Sequence, residues 1–398
     1  MRNKLMRVSA LALVAALGVT AAVAPGSPVQ ALSWFAPWAV IDAGDARSLT
    51  GGEVVARTLP ADGHQIGVFL AGAIGADPET FSRRVRDSRA LWRHEKVPQV
   101  VMFSAPPRAD DVQALELDPE DLDALRDCRP GDCDLKLTAP EITEMRQAIV
   151  QAGAEWRSHA QRLFRDQMLR RVRQYVAGGF ASLDPYRDHD EPVDPQAIAR
   201  SLLEASPWLW ERAPAVARAL DRFPTESLPH TVSSIYWMKT TYLPKPTIQA
   251  VHVLVHRPVA RRRDEPAVLV VSRQIFATHY VNGSLAVSVL VNAQEDPARW
   301  YLGYANRTHV DGLGGWFSGV RRFFVERRVR DRAREIFALQ RDRIEGDRGA
   351  ASLAIPPAAA EQPVAQGRAA AAVGDSTPSG AAYSSSGSGR EVPPSWRK

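Results

Sequence analysis

Residues with chemically able side chains are spread along the chain, and their spacing decides what they can do. Asp188-His-Asp-Glu191 sets four possible metal ligands side by side, but in a proline-flanked stretch that reads as a polar loop. His252 and His256 alternate along one strand-like run, and His279 and His309 lie on others. Strand histidines can meet to bind metal, yet scattered ones more often serve as hydrogen-bonded or solvent-facing groups, which is our reading. Tyr304-Ala-Asn-Arg-Thr-His309 is unusually polar for a strand, so Asn306, Arg307 and His309 are the first polar anchors to consider. HExxH, GxSxG, a P-loop and a GxGxxG after a strand are all missing from the sequence. No nucleophile stands beside an evident base. The sequence therefore assigns no catalytic residue, no metal and no cofactor, and leans away from an enzyme.

Two cysteines, Cys128 and Cys133, share the stretch CRPGDC with Pro130 and Gly131. Haem attachment would need a histidine after the second, where Asp134 stands, and no zinc partner is close. A local disulfide is expected. Residues 1–31 read as a secretory signal: Arg2, Lys4 and Arg7 precede the apolar run Val8–Ala24, and Val29-Gln-Ala31 offers a cleavage site before Leu32. An uncleaved anchor is the rival reading. Export points to the periplasm or the exterior. The net charge of +5 falls to +2 once the signal's three basic residues are removed, so no polycationic face for nucleic acid is expected. Arginine clusters at Arg170–Arg173, Arg261–Arg263 and Arg327–Arg334 read as solvated faces, with contact to acidic lipid headgroups as the minor alternative.

The elements that position these residues form five segments. After the signal come 32–118, with expected strands at Leu49–Leu59, His64–Ile74, Gln99–Ser104 and Asp111–Leu117. A helix opening at Asp77-Pro78-Glu79 lies among them. Residues 119–240 turn helical, with one long helix over Ala139–Val176 and shorter ones near Pro195–Ala205, Ala213–Arg222 and Ser227–Thr240. Residues 241–346 return to strands at Thr247–Arg257, Ala267–Val281, Ser284–Asn292 and Trp300–Val310, then an arginine-rich helix over Trp316–Glu345. Residues 347–398 are rich in Ala, Gly, Ser and Pro and are expected to be disordered. Asn282-Gly283 predicts a two-residue hairpin turn pairing Val281 with Ser284, His279 with Ala286 and Phe276 with Val289. That register puts Phe276, Tyr280, Leu285, Val287 and Val289 on one face, and Arg273, His279 and Ser288 on the other.

The stretches GHQIGVFLAGAIGADPETFSRRVRDSRALWRHEKVPQV (Gly63–Val100) and WYLGYANRTHVDGLGGWFSGVRRFF (Trp300–Phe324) resemble the helix-grip domain of START-type and polyketide-cyclase-like proteins. CRPGDCDLKL with SRQIFATHY is similar to a group of exported bacterial proteins, a resemblance that implies no activity. The helix-grip resemblance implies an α+β fold: an antiparallel curved sheet gripping a long C-terminal helix, here with an inserted helical block. It further implies an apolar cavity between sheet and helix, lined by Phe276, Tyr280, Leu285, Val287 and Val289, with the Arg273 and His279 face in solvent. A close-packed core is the equal alternative. Three function classes follow: a binding module for an apolar or lipid-like ligand first, then a cyclase- or hydrolase-like enzyme, then a structural or partner-binding envelope protein.

Overall fold

The computed structural model of the 398-residue chain describes residues 28–61, 63–259, 265–293, 296–313 and 318–346. The signal segment up to residue 27, the Arg261–Arg263 cluster and the tail at 347–398 lie outside the described residues.

The chain enters through a helical turn, α1 (Pro28–Ala31), which leads Leu32, Trp34 and Phe35 into the core. Helix α2 (Ala43–Thr50) follows, capped by the Asp42 carboxylate on the Asp45 N–H. Strands β1 (Val55–Leu59) and β2 (Gln65–Ile74) form a hairpin, and α3 (Pro78–Arg86) starts at the Asp77 cap with proline first. Asp87 then accepts from the Ala90 N–H and opens a second helix, α4 (Ser88–Trp92), before β3 (Gln99–Met102). The helices α5 (Pro119–Ala124), α6 (Ala139–Ala152), α7 (Trp156–Gly178), α8 (Pro195–Glu204), α9 (Pro207–Arg212) and α10 (Pro214–Asp221) come next. Strands β4 (Thr231–Thr240), β5 (Thr247–His256), β6 (Val268–Ala277), β7 (Val281–Ala293) and β8 (Asp296–Val310) lead to α11 (Ser318–Glu345).

The fold is α+β. All eight strands join one antiparallel sheet in the order β1-β2-β8-β7-β6-β5-β4-β3. Both faces are covered, which is why β2 and β5 are almost continuously buried rather than alternating. One face carries Val68, Leu70, Val268, Val270, Leu290 and Leu302 against Phe81 and Val85 of α3 and Phe337 and Ile344 of α11. The other is shared by two clusters. Leu269, Val271, Leu285, Val287 and Val289 pack with Phe35 and with Leu202, Trp208 and Val216 of the helices. Trp237, Ile248, Ala250 and Phe276 pack with Met145, Phe164 and Met168. Gly303 beside Val289 lacks a side chain because the Phe35 ring occupies the space, 2.5 Å from where a Cβ would stand.

Several sequence expectations are corrected. The two-residue hairpin at Asn282-Gly283 does not form: β6 ends at Ala277, and the chain turns through Thr278–Tyr280, with Tyr280 at φ 60°. Val287 pairs with Val271 and Val289 with Leu269, so Phe276 does not pair with Val289. Tertiary bonds choose this turn. The Val281 N–H donates to His279 O at 2.6 Å and the Asp311 N–H to Tyr280 O at 2.8 Å. Asn282 becomes a bulge inside β7, and Gly283 passes under α8, where a Cβ would lie 2.8 Å from the Ile198 side chain. Consequently Leu285, Val287 and Val289 share the face opposite α11, and Arg273 and His279 are buried rather than solvent-facing.

Other corrections are local. Ser227–Thr240 is not a helix: Thr231–Thr240, rich in β-branched and aromatic residues, pairs along β5. Ala139–Val176 is two helices, broken where Gly153 takes φ 52°. Asp111–Leu117 forms no strand. It opens with a 3-10 turn, and Asp111 accepts from the Ser104 and Arg108 N–H groups. Leu49 and Thr50 belong to α2 rather than to the first strand. Cys128 and Cys133 are joined in a disulfide.

Candidate functional site: a buried arginine beside a cavity

Arg273 interrupts the apolar run Val268-Leu-Val-Val-Ser-Arg of β6. Its directly paired neighbour across β7 is Leu285, and Leu285 pairs in turn with Arg307 on β8, so the three share a row on the helix-block face. The Arg273 side chain is 7% exposed. Its Nη1 donates to Leu220 O at the end of α10 at 2.7 Å. The guanidinium carbon lies 5.3 Å from the Tyr175 ring centroid, 5.3 Å from Phe180 and 4.8 Å from Phe223, a cage of aromatic rings. Nε and Nη2, the remaining edge, are buried without a hydrogen-bond partner. The Tyr175 hydroxyl is near the guanidinium but makes no aligned bond to Nε or Nη2. Among the described residues no carboxylate pairs with Arg273. Burial pulls its pKa below the usual arginine value, with Tyr175 opposing the shift.

The same arginine lines a cavity of about 100 Å³ between the sheet and the helices α8 and α10. Ile198, Leu202 and Leu203 of α8, Leu220 of α10, Phe180, Phe223 and Leu285 give its apolar wall. Gln196, Asn282 and Ser284 give polar positions, and the exposed Arg200 and Asp221 stand at the rim. An apolar wall with a few placed polar groups is the usual composition of a small-molecule site.

Behind the arginine runs a polar chain. The Tyr175 hydroxyl is 2.7 Å from His252 Nδ1, and Ser233 Oγ is 2.8 Å from His252 Nε2. Serine, histidine and an orienting hydroxyl at these distances have the spacing of a nucleophile and its base. The electrostatics oppose that role. Burial, assisted by the Arg273 charge, holds the His252 pKa well below its ordinary value, which makes it a weak base at neutral pH. Burial likewise pushes the Tyr175 phenol up, keeping it neutral.

The residues expected to bind ligand do not converge. Leu285 lines the cavity. Phe276 packs under the Arg171 guanidinium, 4.0 Å from its ring centroid, and Val287 and Val289 are sealed in the core. The Tyr280 hydroxyl accepts from the Lys245 N–H at 3.2 Å. Asn306 accepts from the Thr308 hydroxyl, and Arg307 donates to Pro60 O at 2.7 Å. His309 stacks on His64 with centroids 5.3 Å apart and bonds the Asn282 amide, which also reaches Asp311. The histidines are likewise dispersed. His256 bonds Thr231, while His279 lies between the Asp121 carboxylate at 3.1 Å and Asp134 O at 3.0 Å. Both ring nitrogens of His279 face acceptors.

The Asp188–Glu191 stretch holds a feature its composition does not show. Asp188 is buried and Lys136, 1% exposed, places its ammonium 3.0 Å from Asp188 and 2.7 Å from Asp311. His189 adds a third ligand type, its atom within 4.8 Å of those of Asp188 and Asp311. The ammonium already supplies the positive charge between the carboxylates, so this is a buried ion triad. Asp190 and Glu191 are exposed.

Arginine inside a β-branched run was the one sequence signal pointing at this site. Tyr175, Phe180 and Phe223 gave none, since they are distant in sequence. No protein-family model, curated protein or solved structure matches this chain. Among the described residues no helix is long and apolar enough to cross a membrane.

Proposed function

We propose that the chain is a binding module for a small molecule with an apolar body. The ligand seats between the sheet and the inserted helices, not under the C-terminal helix. The observation that carries this is the cavity of about 100 Å³ walled by Leu202, Leu203, Leu220 and Leu285, with one buried charged side chain, Arg273, in its lining. An engineered apolar cavity of ~150 Å³ suffices for benzene, so this smaller space suits a slimmer body, such as a short chain extending towards the rim.

The frame is read as helix-grip. What supports this is the order of elements: β2, the helix pair α3 and α4, the antiparallel strands, β8 returning beside β2, then α11. Phe337 and Ile344 of α11 pack on the same face as Phe81 and Val85 of α3. The Arg341 guanidinium donates to Gly52 O at 3.0 Å, Arg343 to Leu91 O at 2.9 Å, and the Glu345 carboxylate accepts from the Gly75 N–H at 2.8 Å. A sheet curved around that helix completes the reading. Export through the N-terminal signal, to the periplasm or the exterior, belongs to the same proposal, as does a role next to an envelope partner or a membrane surface.

Native mass spectrometry of freshly purified protein, with organic extraction, tests the ligand. A small adduct lost on denaturation is expected. Ala199, half-buried in the wall, is the control position: Ala199→Phe is expected to abolish the adduct while leaving the melting temperature near wild type. An adduct that survives Ala199→Phe unchanged would place the ligand elsewhere.

A further inference from the structure

The cavity carries one feature that an apolar ligand alone does not explain, the arginine without a counter-ion. A buried guanidinium is costly unless its charge is paired and its donors are bonded. Here Nη1 alone is anchored, on Leu220 O, and the Nε and Nη2 edge is left over. Those two N–H groups are parallel and side by side, the fork that matches the two oxygens of a carboxylate. Arg200 at the rim adds a second positive charge against the single carboxylate of Asp221.

We infer that the ligand of this cavity is a small monocarboxylate, whose carboxylate pairs with the free edge of Arg273 while its apolar body lies along Leu202, Leu203 and Leu285. This rests on the binding-module reading and narrows it to a chemical class. Phe180 and Phe223 both line the cavity and lie over the guanidinium, and both are only half-buried. Binding requires that these rings move aside to open the sheltered edge to the cavity, where the anion supplies the missing charge. A phosphate dianion fits less well. One guanidinium edge neutralises one charge, and the apolar wall would leave the second unpaired.

The test needs no variant. The full chain is titrated calorimetrically, at low salt and neutral pH, with pentanoate, pentanamide, 1-pentanol and inorganic phosphate. Pentanoate is expected to bind about tenfold or more tightly than the isosteric amide and alcohol, as a charge-assisted bidentate pair requires. Equal binding of all three five-carbon compounds would overturn the carboxylate and leave the cavity reading standing. Phosphate binding more tightly than pentanoate would overturn the class. Binding of none of them would remove the cavity reading and this inference together. Arg273→Lys adds a second arm, because it keeps a positive charge and loses the fork. A folded Arg273→Lys protein that still prefers pentanoate by the wild-type ratio would show that the guanidinium edge is not the receptor.

Discussion

Arg273 and Leu285 are direct partners across β6 and β7, so the guanidinium and the isobutyl group stand together on the face beneath α8 and α10. Everything at the candidate site depends on this pairing. A register shifted by one residue would send Arg273 to the side of α3 and α11 and leave the cavity without its buried charge. The pairing is held from outside the hairpin, by the Leu220 carbonyl on Arg273 and by Ile198 over Gly283.

His279 tests the turn. It is 4% exposed and bonded to the buried Asp121 carboxylate and to Asp134 O, so His279→Ala leaves a buried charge without its partner. A loss of about 3 kcal/mol is expected. Urea denaturation of wild type and variant measures it, and a variant as stable as wild type would mean that the ring is in solvent.

Val289→Trp tests the face. Val289 is fully buried between Leu269 and Gly303, with Phe35 filling the space above Gly303. Overpacking here is expected to cost at least about 3 kcal/mol, at or beyond the top of the usual range. The same thermal melt should show Ala199→Phe, in the cavity wall, close to wild type.

Tyr175→Phe removes the hydroxyl 2.7 Å from His252 Nδ1 and keeps the rings stacked around Arg273. It leaves His252 short of one buried bond, and a loss of about 1–2 kcal/mol is expected in urea melts. The change in stability should exceed that of Ser233→Ala, whose hydroxyl is exposed to water.

Stability is expected to fall with acid for a stated reason. Burial, with His64 and Lys136 assisting and Asp311 opposing, lowers the His309 pKa to about 4. The unfolded chain binds that proton at about 6.5, so between 6.5 and 4 protons favour unfolding. Stability should be flat above pH 6.5 in this respect and decline below it. His309 is half-exposed, so after allowance for solvent its share is about 1–2 kcal/mol at pH 4. His309→Gln should flatten that part of the curve, and an unchanged slope would remove His309 as its source. His94, His252 and His256 are shifted in the same direction by burial and add to the decline.

The Cys128–Cys133 bond closes a short loop that backbone bonds also hold, from the Gly131 N–H to Arg187 O and from the Cys133 N–H to Asp188 O. Reduction is expected to lower stability by about 2 kcal/mol on the loop-entropy estimate and to leave the circular dichroism spectrum intact. Denaturation with and without a reductant checks both.

What the sequence determined by itself is local and periodic. Asp77-Pro78 set the start of α3, β-branched and aromatic residues set β2, β5, β6 and β8, and the five-residue separation of the cysteines set their bond. These follow from backbone preferences and short loops, which act over a few residues. The tertiary structure alone decided the rest. Asn282-Gly283 has the composition of a tight turn, yet Asp121, Asp134 and Asp311 hold the chain's reversal three residues earlier, and α8 needs the bare backbone of Gly283. Thr231–Thr240 followed a helical block and looked helical until a partner strand, β5, supplied its hydrogen bonds. The site is the extreme case. Tyr175, Phe180, Phe223 and Arg273 meet across almost a hundred residues of sequence, and the cost of burying a guanidinium exists only once those rings have excluded water from it.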